Sequence, residues 1–174
     1  VAQVIAGADI ALWDLVGRRL GQPLWRLFGG TPEVSVYASG LNPVEPEKLA
    51  ARKREEGYRA FKLKIGFGLE RDTANLRALR DLLGAEVPLM VDANQAWDAD
   101  AAIRSACAIA EFGLDWLEEP IPADSAPADW RRVASGSPIP LAGGENIRGV
   151  GAFARALESG ALRVIQPDLG KWGG

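Results

Sequence analysis

Short apolar or β-branched runs recur along this chain with their starts 24 to 28 residues apart, and a helix-like stretch separates each from the next. No other feature constrains the fold as strongly. The runs are Val34 to Ala38, Ala60 to Ile65, Pro88 to Asp92, Asp115 to Glu118, Ile139 to Ala142 and Arg163 to Pro167. Between them, residues 46–56, 70–83, 98–112, 127–134 and 149–159 open near Pro, Asp, Ser or Gly and are amphipathic enough to lie on a sheet. A chain that alternates strand and helix in this way builds a parallel sheet. The even spacing lacks the long excursion that an open, doubly wound sheet needs where its strand order reverses, and so predicts an α/β fold of the closed (β/α)8 barrel type. Six strands can be counted, which is two short of a closed barrel.

Ahead of the first strand, Ile5, Ala8, Leu12, Leu15 and Val16 read as a helix, and Gly29-Gly30-Thr31-Pro32 reads as a break. Val1 opens straight into that helix with no capping residue, and Lys171-Trp172-Gly173-Gly174 is a turn-like sequence that normally leads into another element. The expectation is therefore a partial chain. Residues 1–30 are read as the last helix and linker of another domain, and residues 31–174 as an incomplete barrel whose final two strands lie beyond Gly174.

Composition narrows the chemistry. The 174 residues hold 20 Lys and Arg against 23 Asp and Glu, a net charge of −3, with one Cys and no His. Without imidazole there is no Ser/His or Cys/His nucleophile and no His-ligated zinc, so proton transfer near neutral pH falls to Lys, Asp, Glu or Tyr. A slightly acidic chain without clustered basic residues does not suit nucleic acid. No apolar run is long enough to cross a bilayer, and the start lacks the signature of a signal peptide, which favours a cytoplasmic protein. Cys107 shares a predicted apolar stripe with Ile103, Ala106 and Ala110 and is expected to be a buried structural thiol.

The strand ends carry the informative charges, on the face where such barrels do chemistry. Asp92 ends one strand, Glu118 ends the next, and Glu145 follows the one after, at intervals of 26 and 27 residues. Three carboxylates from consecutive strand ends form a hard-cation site suited to Mg²⁺. Any one of these acids could instead cap a helix or be a solvated loop residue. Three in register would repel one another without a cation. Glu119 competes with Glu118, since adjacent strand residues point to opposite faces.

In Phe61-Lys62-Leu63-Lys64-Ile65, alternation sets Lys62 and Lys64 on one face. Two lysines can protect an edge strand. Facing into a barrel, they need an anion or a substrate, and a neighbouring cation would lower an amine pKa and free a general base. Asp168, 23 residues after Glu145, could be a fourth ligand, an acid/base, the partner of another base, or a simple turn residue, and Lys171 follows three positions later.

These residues carry a resemblance. Ala11-Leu12-Trp13-Asp14 with Leu27-Phe28-Gly29-Gly30, Lys62-Leu63-Lys64, Val91-Asp92-Ala93-Asn94-Gln95, Glu118-Glu119-Pro120, Gly144-Glu145-Asn146, and Gln166-Pro167-Asp168 through Gly173-Gly174 together resemble the enolase superfamily. Within it, the chain looks like the mandelate racemase-like branch of sugar-acid dehydratases and racemases. The resemblance implies that Asp92, Glu118 and Glu145 hold Mg²⁺, with Glu118 chosen over Glu119. It implies that Lys64 removes the proton α to a substrate carboxylate, giving an enediolate, while Lys62 depresses the Lys64 pKa and stabilises developing charge. Asn94 would line the site, and Lys171 would contribute to substrate binding. Asp168, where other branches carry a lysine, would orient a catalytic His one strand later, beyond Gly174. The branch also implies an α+β capping domain, of which residues 1–30 would be the last helix, and a homo-oligomer in the full-length protein. The reaction expected first is dehydration of a sugar acid; racemisation or epimerisation, cycloisomerisation, and an inactive metal-binding fragment are the alternatives.

Overall fold

The computed structural model describes residues 1–172, so Gly173 and Gly174, part of the last resembling stretch, lie outside the described residues. The elements run α1 (Ala2–Leu20), α2 (Leu24–Leu27), β1 (Ala38–Leu41), α3 (Pro46–Glu55), β2 (Phe61–Lys64), α4 (Leu69–Leu83), β3 (Leu89–Asp92), α5 (Ala99–Ile109), β4 (Leu117–Glu118), α6 (Pro127–Gly136), β5 (Leu141–Gly143), α7 (Val150–Ser159), β6 (Val164–Ile165) and α8 (Leu169–Trp172). All six strands are parallel and neighbour one another in chain order. This is the expected βα succession of a barrel-type α/β fold. Among the described residues no helix is long and apolar enough to cross a membrane.

The chain divides into two compact units. One comprises Val36–Gly143 with Arg155–Ile165, and the other Val1–Ser35, Gly144–Ala154 and the residues from Gln166 on. The first holds the sheet. Phe61, Leu63, Leu89, Val91, Leu117 and Leu141 point to one face and pack with Leu76 and Leu79 of α4, Ala102, Ala106 and Ile109 of α5 and Val133 of α6. Helices thus cover the outer face, and burial of these side chains drives the layering. Alternation sends the intervening residues to the other face, where Lys62, Met90, Asp92 and Glu118 are also buried.

In the second unit, α1 ends at Gly21 in the left-handed conformation (φ 62°), and its amide returns to the Arg18 carbonyl at 3.2 Å. The Trp13 and Phe28 rings meet edge to face at 4.7 Å. The helix forms where periodicity places it, but its buried residues are Ala6 and Gly17. Ile5, Leu12 and Leu15 of the predicted stripe are more than half exposed.

Two expectations need correction. The first strand begins at Ala38, not Val34: Val34 and Val36 are 78% and 63% exposed, and pairing with β2 starts at Ala38 opposite Phe61. Valines at alternate positions imitate a strand, but only Ala38 and Leu41 reach the core. Cys107 is exposed. The buried stripe of α5 is Ala102, Ala106 and Ile109, and Cys107 is one helical step of about 100° away from Ala106.

Candidate active site

Strand register builds the site. Lys64 of β2 is level with Asp92 of β3, and Asp92 with Glu118 of β4. The three polar residues at the strand ends form one row across the sheet. Lys62 lies one inward position earlier, level with Met90.

Within the row, Lys64 Nζ donates to Asp92 Oδ2 at 2.5 Å. Lys62 Nζ donates to Glu118 Oε2 at 2.6 Å and lies 3.6 Å from Asp92 Oδ2. The pairs are not equivalent: Lys62, Asp92 and Glu118 are buried, whereas the Lys64 side chain is 25% exposed. Of the four, Lys64 alone is partly open to solvent. Burial is the largest single influence on the Lys62 amine and pushes its pKa down. The hydrogen bond and charge of Glu118, helped by Tyr37 and Asp92, outweigh that and hold it above its usual range. The Tyr37 ring lies 5.4 Å from Lys62 Nζ, within cation–π range, and 5.6 Å from the Trp116 ring.

Glu118 and Glu119 are both buried, but they are received differently. Glu118 belongs to the charged row, while Glu119 Oε2 accepts from Gln95 Nε2 at 3.1 Å. Asn94 is exposed next to the row; its amide donates to Asp92 Oδ1 at 2.8 Å and its side chain to Oδ2 at 3.4 Å.

Opposite Glu118 stands Ala142, and Glu145 follows two residues beyond the end of β5. Among the described residues, no cluster of three or more acids could hold a metal ion. In the second unit, Glu145 Oε1 accepts from Lys171 Nζ at 3.2 Å, and Asn146 Oδ1 lies 3.5 Å from the same nitrogen. Asp168 Oδ1 accepts from the Gly170 amide at 2.8 Å, the turn-forming use of an aspartate, and its other oxygen is 4.0 Å from Lys171.

Asp92 and Glu118 suit a hard divalent cation. They are two buried oxygen donors on adjacent strands, and one positive charge, the Lys62 ammonium, already lies within 3.6 Å of both. Gln95 was missed as a candidate of its own, although its amide and two strained neighbours border the row. A cleft of about 660 Å³ opens beside it, lined by Gln95, Trp97, Asp98, Ile121, Asp129 and Arg132, but none of Lys64, Asp92 or Glu118 lines it.

A parallel β/α sheet with lysines and carboxylates at consecutive strand ends defines the class as (β/α)-barrel-type proteins with charged groups at the strand ends. The particular family follows from the sequence comparisons. Residues 45–174 match the family model described as enolase C-terminal domain-like, and residues 1–29 match the N-terminal domain of mandelate racemase/muconate lactonizing enzyme. The chain belongs to this enolase-superfamily family.

A 3,6-anhydro-alpha-L-galactonate cycloisomerase from Streptomyces coelicolor is 44% identical over 98% of this chain and 48% of its own length. An L-talarate/galactarate dehydratase from Salmonella typhimurium is 36% identical over 99% of this chain and 45% of its own. Among solved structures, a mandelate racemase/muconate lactonizing enzyme from Bordetella bronchiseptica RB50 is 57% identical with a TM-score of 0.96, covering 99% of this chain and 48% of that one. A racemase from Streptomyces coelicolor with bound magnesium is 42% identical with a TM-score of 0.94, covering 99% of this chain and 50% of that one. The relatives thus include a cycloisomerase, a dehydratase and a racemase. The chain spans about half the length of these relatives.

Proposed function

We propose that the protein abstracts the proton α to the carboxylate of a sugar acid, with Lys64 as base, and that the β-hydroxyl, protonated by an acid, then leaves the enediolate as water, giving the enol of a 2-keto acid. The observation that carries this reading is the row Lys64, Asp92, Glu118, level across three adjacent parallel strands, with Lys62 bridging its two acids. Asp92 and Glu118 would hold Mg²⁺, joined by Glu145 from the loop after β5. Bound Mg²⁺ supplies positive charge beside the substrate carboxylate, where negative charge accumulates on deprotonation.

Lys64 stands at the strand end with part of its side chain open, in a position to receive the proton once it is neutral. Lys62, buried and held charged, stabilises the enediolate that proton loss leaves. Asn94 orients Asp92 through its amide and lines the substrate side of the row. Asp168 and Lys171 would act from the turn after β6, Asp168 as partner of a histidine on a following strand and Lys171 toward the substrate. Residues 1–30 would be the last part of a capping domain, and residues 31–174 the catalytic barrel portion. A cytoplasmic homo-oligomer is the proposed state.

Cycloisomerisation is the second reading, favoured by the 44% identity to a cycloisomerase. It shares the first half-reaction and differs in what captures the intermediate. The test is a sugar-acid panel with the whole protein and Mg²⁺. Dehydration gives a 2-keto acid that semicarbazide detects. Exchange of the α-hydrogen in deuterated water with no keto acid from any member would replace dehydration by racemisation, and a ring-closed isomer of the substrate, formed by intramolecular capture without keto acid, would favour cycloisomerisation.

A further inference from the structure

Four non-glycine residues among those described have left-handed backbones, and three of them border the charged row: Asn94 (φ 46°), Gln95 (φ 64°) and Glu119 (φ 39°). Such conformations are strained for residues with a side chain and persist only where the surroundings hold them. Here the two strained loops hold each other. The Gln95 amide donates to the Glu119 carbonyl at 2.7 Å, its Nε2 donates to Glu119 Oε2 at 3.1 Å, and its Oε1 accepts from the Ala123 amide at 2.8 Å. Gln95 therefore directs both side-chain polar atoms and its own N–H across to the loop after β4.

We infer that Gln95 is a positioning residue: through Glu119 it fixes the end of β4 so that the Glu118 carboxylate stays level with Asp92. This rests on the proposed Mg²⁺ role of those two acids. The argument is one of leverage. Glu118 and Glu119 are adjacent and both buried, so a small rotation of the backbone between them would turn Glu118 out of the row. Glu119 is the residue whose backbone is strained and whose carboxylate Gln95 receives. The ladder bond from the Ala93 amide to the Glu118 carbonyl, at 3.0 Å, fixes the height of Glu118 but not the turn that follows it. Gln95 supplies that constraint from the loop that also carries Asp92.

The test is Mg²⁺ titration of the whole protein by calorimetry, with Gln95→Leu and Glu119→Gln compared with the parent at equal folded fraction. Gln95→Leu removes both side-chain bonds at similar volume, and partners that orient ligands from outside typically change metal affinity by about 10–100-fold, so Kd should rise by that factor. Glu119→Gln keeps an oxygen for the Gln95 amide and should stay within about threefold. A Gln95→Leu protein that binds Mg²⁺ like the parent overturns the inference. So does an equal loss in Glu119→Gln, because Glu119 would then act through its charge. A Gln95→Leu protein that does not fold leaves a second measurement in the parent. The Ala123 amide, held by Gln95 Oε1, should exchange slowly with deuterium, and exchange at the rate of unprotected loop amides overturns the clamp. A parent that takes up no Mg²⁺ while Ala123 stays protected overturns the metal reading and this role with it, while the clamp itself stands.

Discussion

Single substitutions separate the roles in the charged row. Lys64→Ala removes the proposed base, and loss of a positioned general base typically costs about 10²–10⁴-fold, so if the proposed sugar-acid reaction holds, kcat should fall by that factor. Unchanged turnover would remove Lys64 from the mechanism. Lys62→Met leaves Glu118 and Asp92 without the ammonium between them. Breaking a buried pair from one side costs about 3–5 kcal/mol, so the urea midpoint should drop in chelator, and Mg²⁺ should restore part of it. No recovery with Mg²⁺ would argue against those acids as ligands. Gly66, at φ 95°, leads the chain out of β2, and a Cβ there would meet the Ala96 Cβ at 2.8 Å. Gly66→Ala should therefore cost about 1–3 kcal/mol in urea unfolding, through strain beside the row rather than within it. The row was legible in the sequence because period-2 alternation and even spacing fix which side chains share a face. The Gln95 clamp was not, since left-handed backbone at Asn94, Gln95 and Glu119 leaves no periodic trace and involves residues with no obligatory need for it.

Loops and helices are held by groups that periodicity does not reveal. Arg80 of α4 gives its guanidinium to four carbonyls: Phe112 at 2.8 Å, Gly113 at 2.7 Å, Val87 at 2.7 Å and Gly84 at 3.0 Å. It ties the helix to the chain on both sides of β3. Arg80→Lys retains the charge but not the planar fork, and should cost at least about 1.5 kcal/mol, the value of one charged hydrogen bond, by chemical denaturation. Asp72 accepts from the amides of Gly66 and Phe67 and so closes the turn between β2 and α4. Burial pushes its carboxyl above the usual range despite those two amides. A raised acid contributes most to stability below its unfolded pKa and loses that contribution as pH rises through the folded value. Asp72→Asn keeps an acceptor and never ionises, so its stability relative to the parent should improve from pH 3 to pH 7. Asp72→Ala orphans two amides and should cost about 1–3 kcal/mol at either pH. Equal pH dependence in Asp72→Asn and the parent would contradict this. Most helix spans were readable from pattern alone. The β1 start was not, because Val34 and Val36 have strand propensity without a partner, and Ala38 to Leu41 pairs with β2 despite its weak pattern.

At the scale of the molecule, the two faces of the sheet do different work. On β2 to β4 the outward residues Phe61, Leu63, Leu89, Val91 and Leu117 join the helices, and the inward ones carry Lys62, Lys64, Asp92 and Glu118. If Asp92 and Glu118 take up a divalent ion, saturation at a hundred times Kd should stabilise the whole protein by about 2.7 kcal/mol, seen as a rise in Tm that chelator reverses. An unchanged Tm across that range would argue against binding. This division of faces gives the chain an evolutionary freedom. On these strands, neighbouring codons answer to separate demands: one position must be greasy and well fitted, and the next is free to be acid, amine or amide. A lineage can therefore exchange one reaction for another by altering alternate positions while its scaffold stays whole, consistent with a family whose members bear the names of a cycloisomerase, a dehydratase and a racemase.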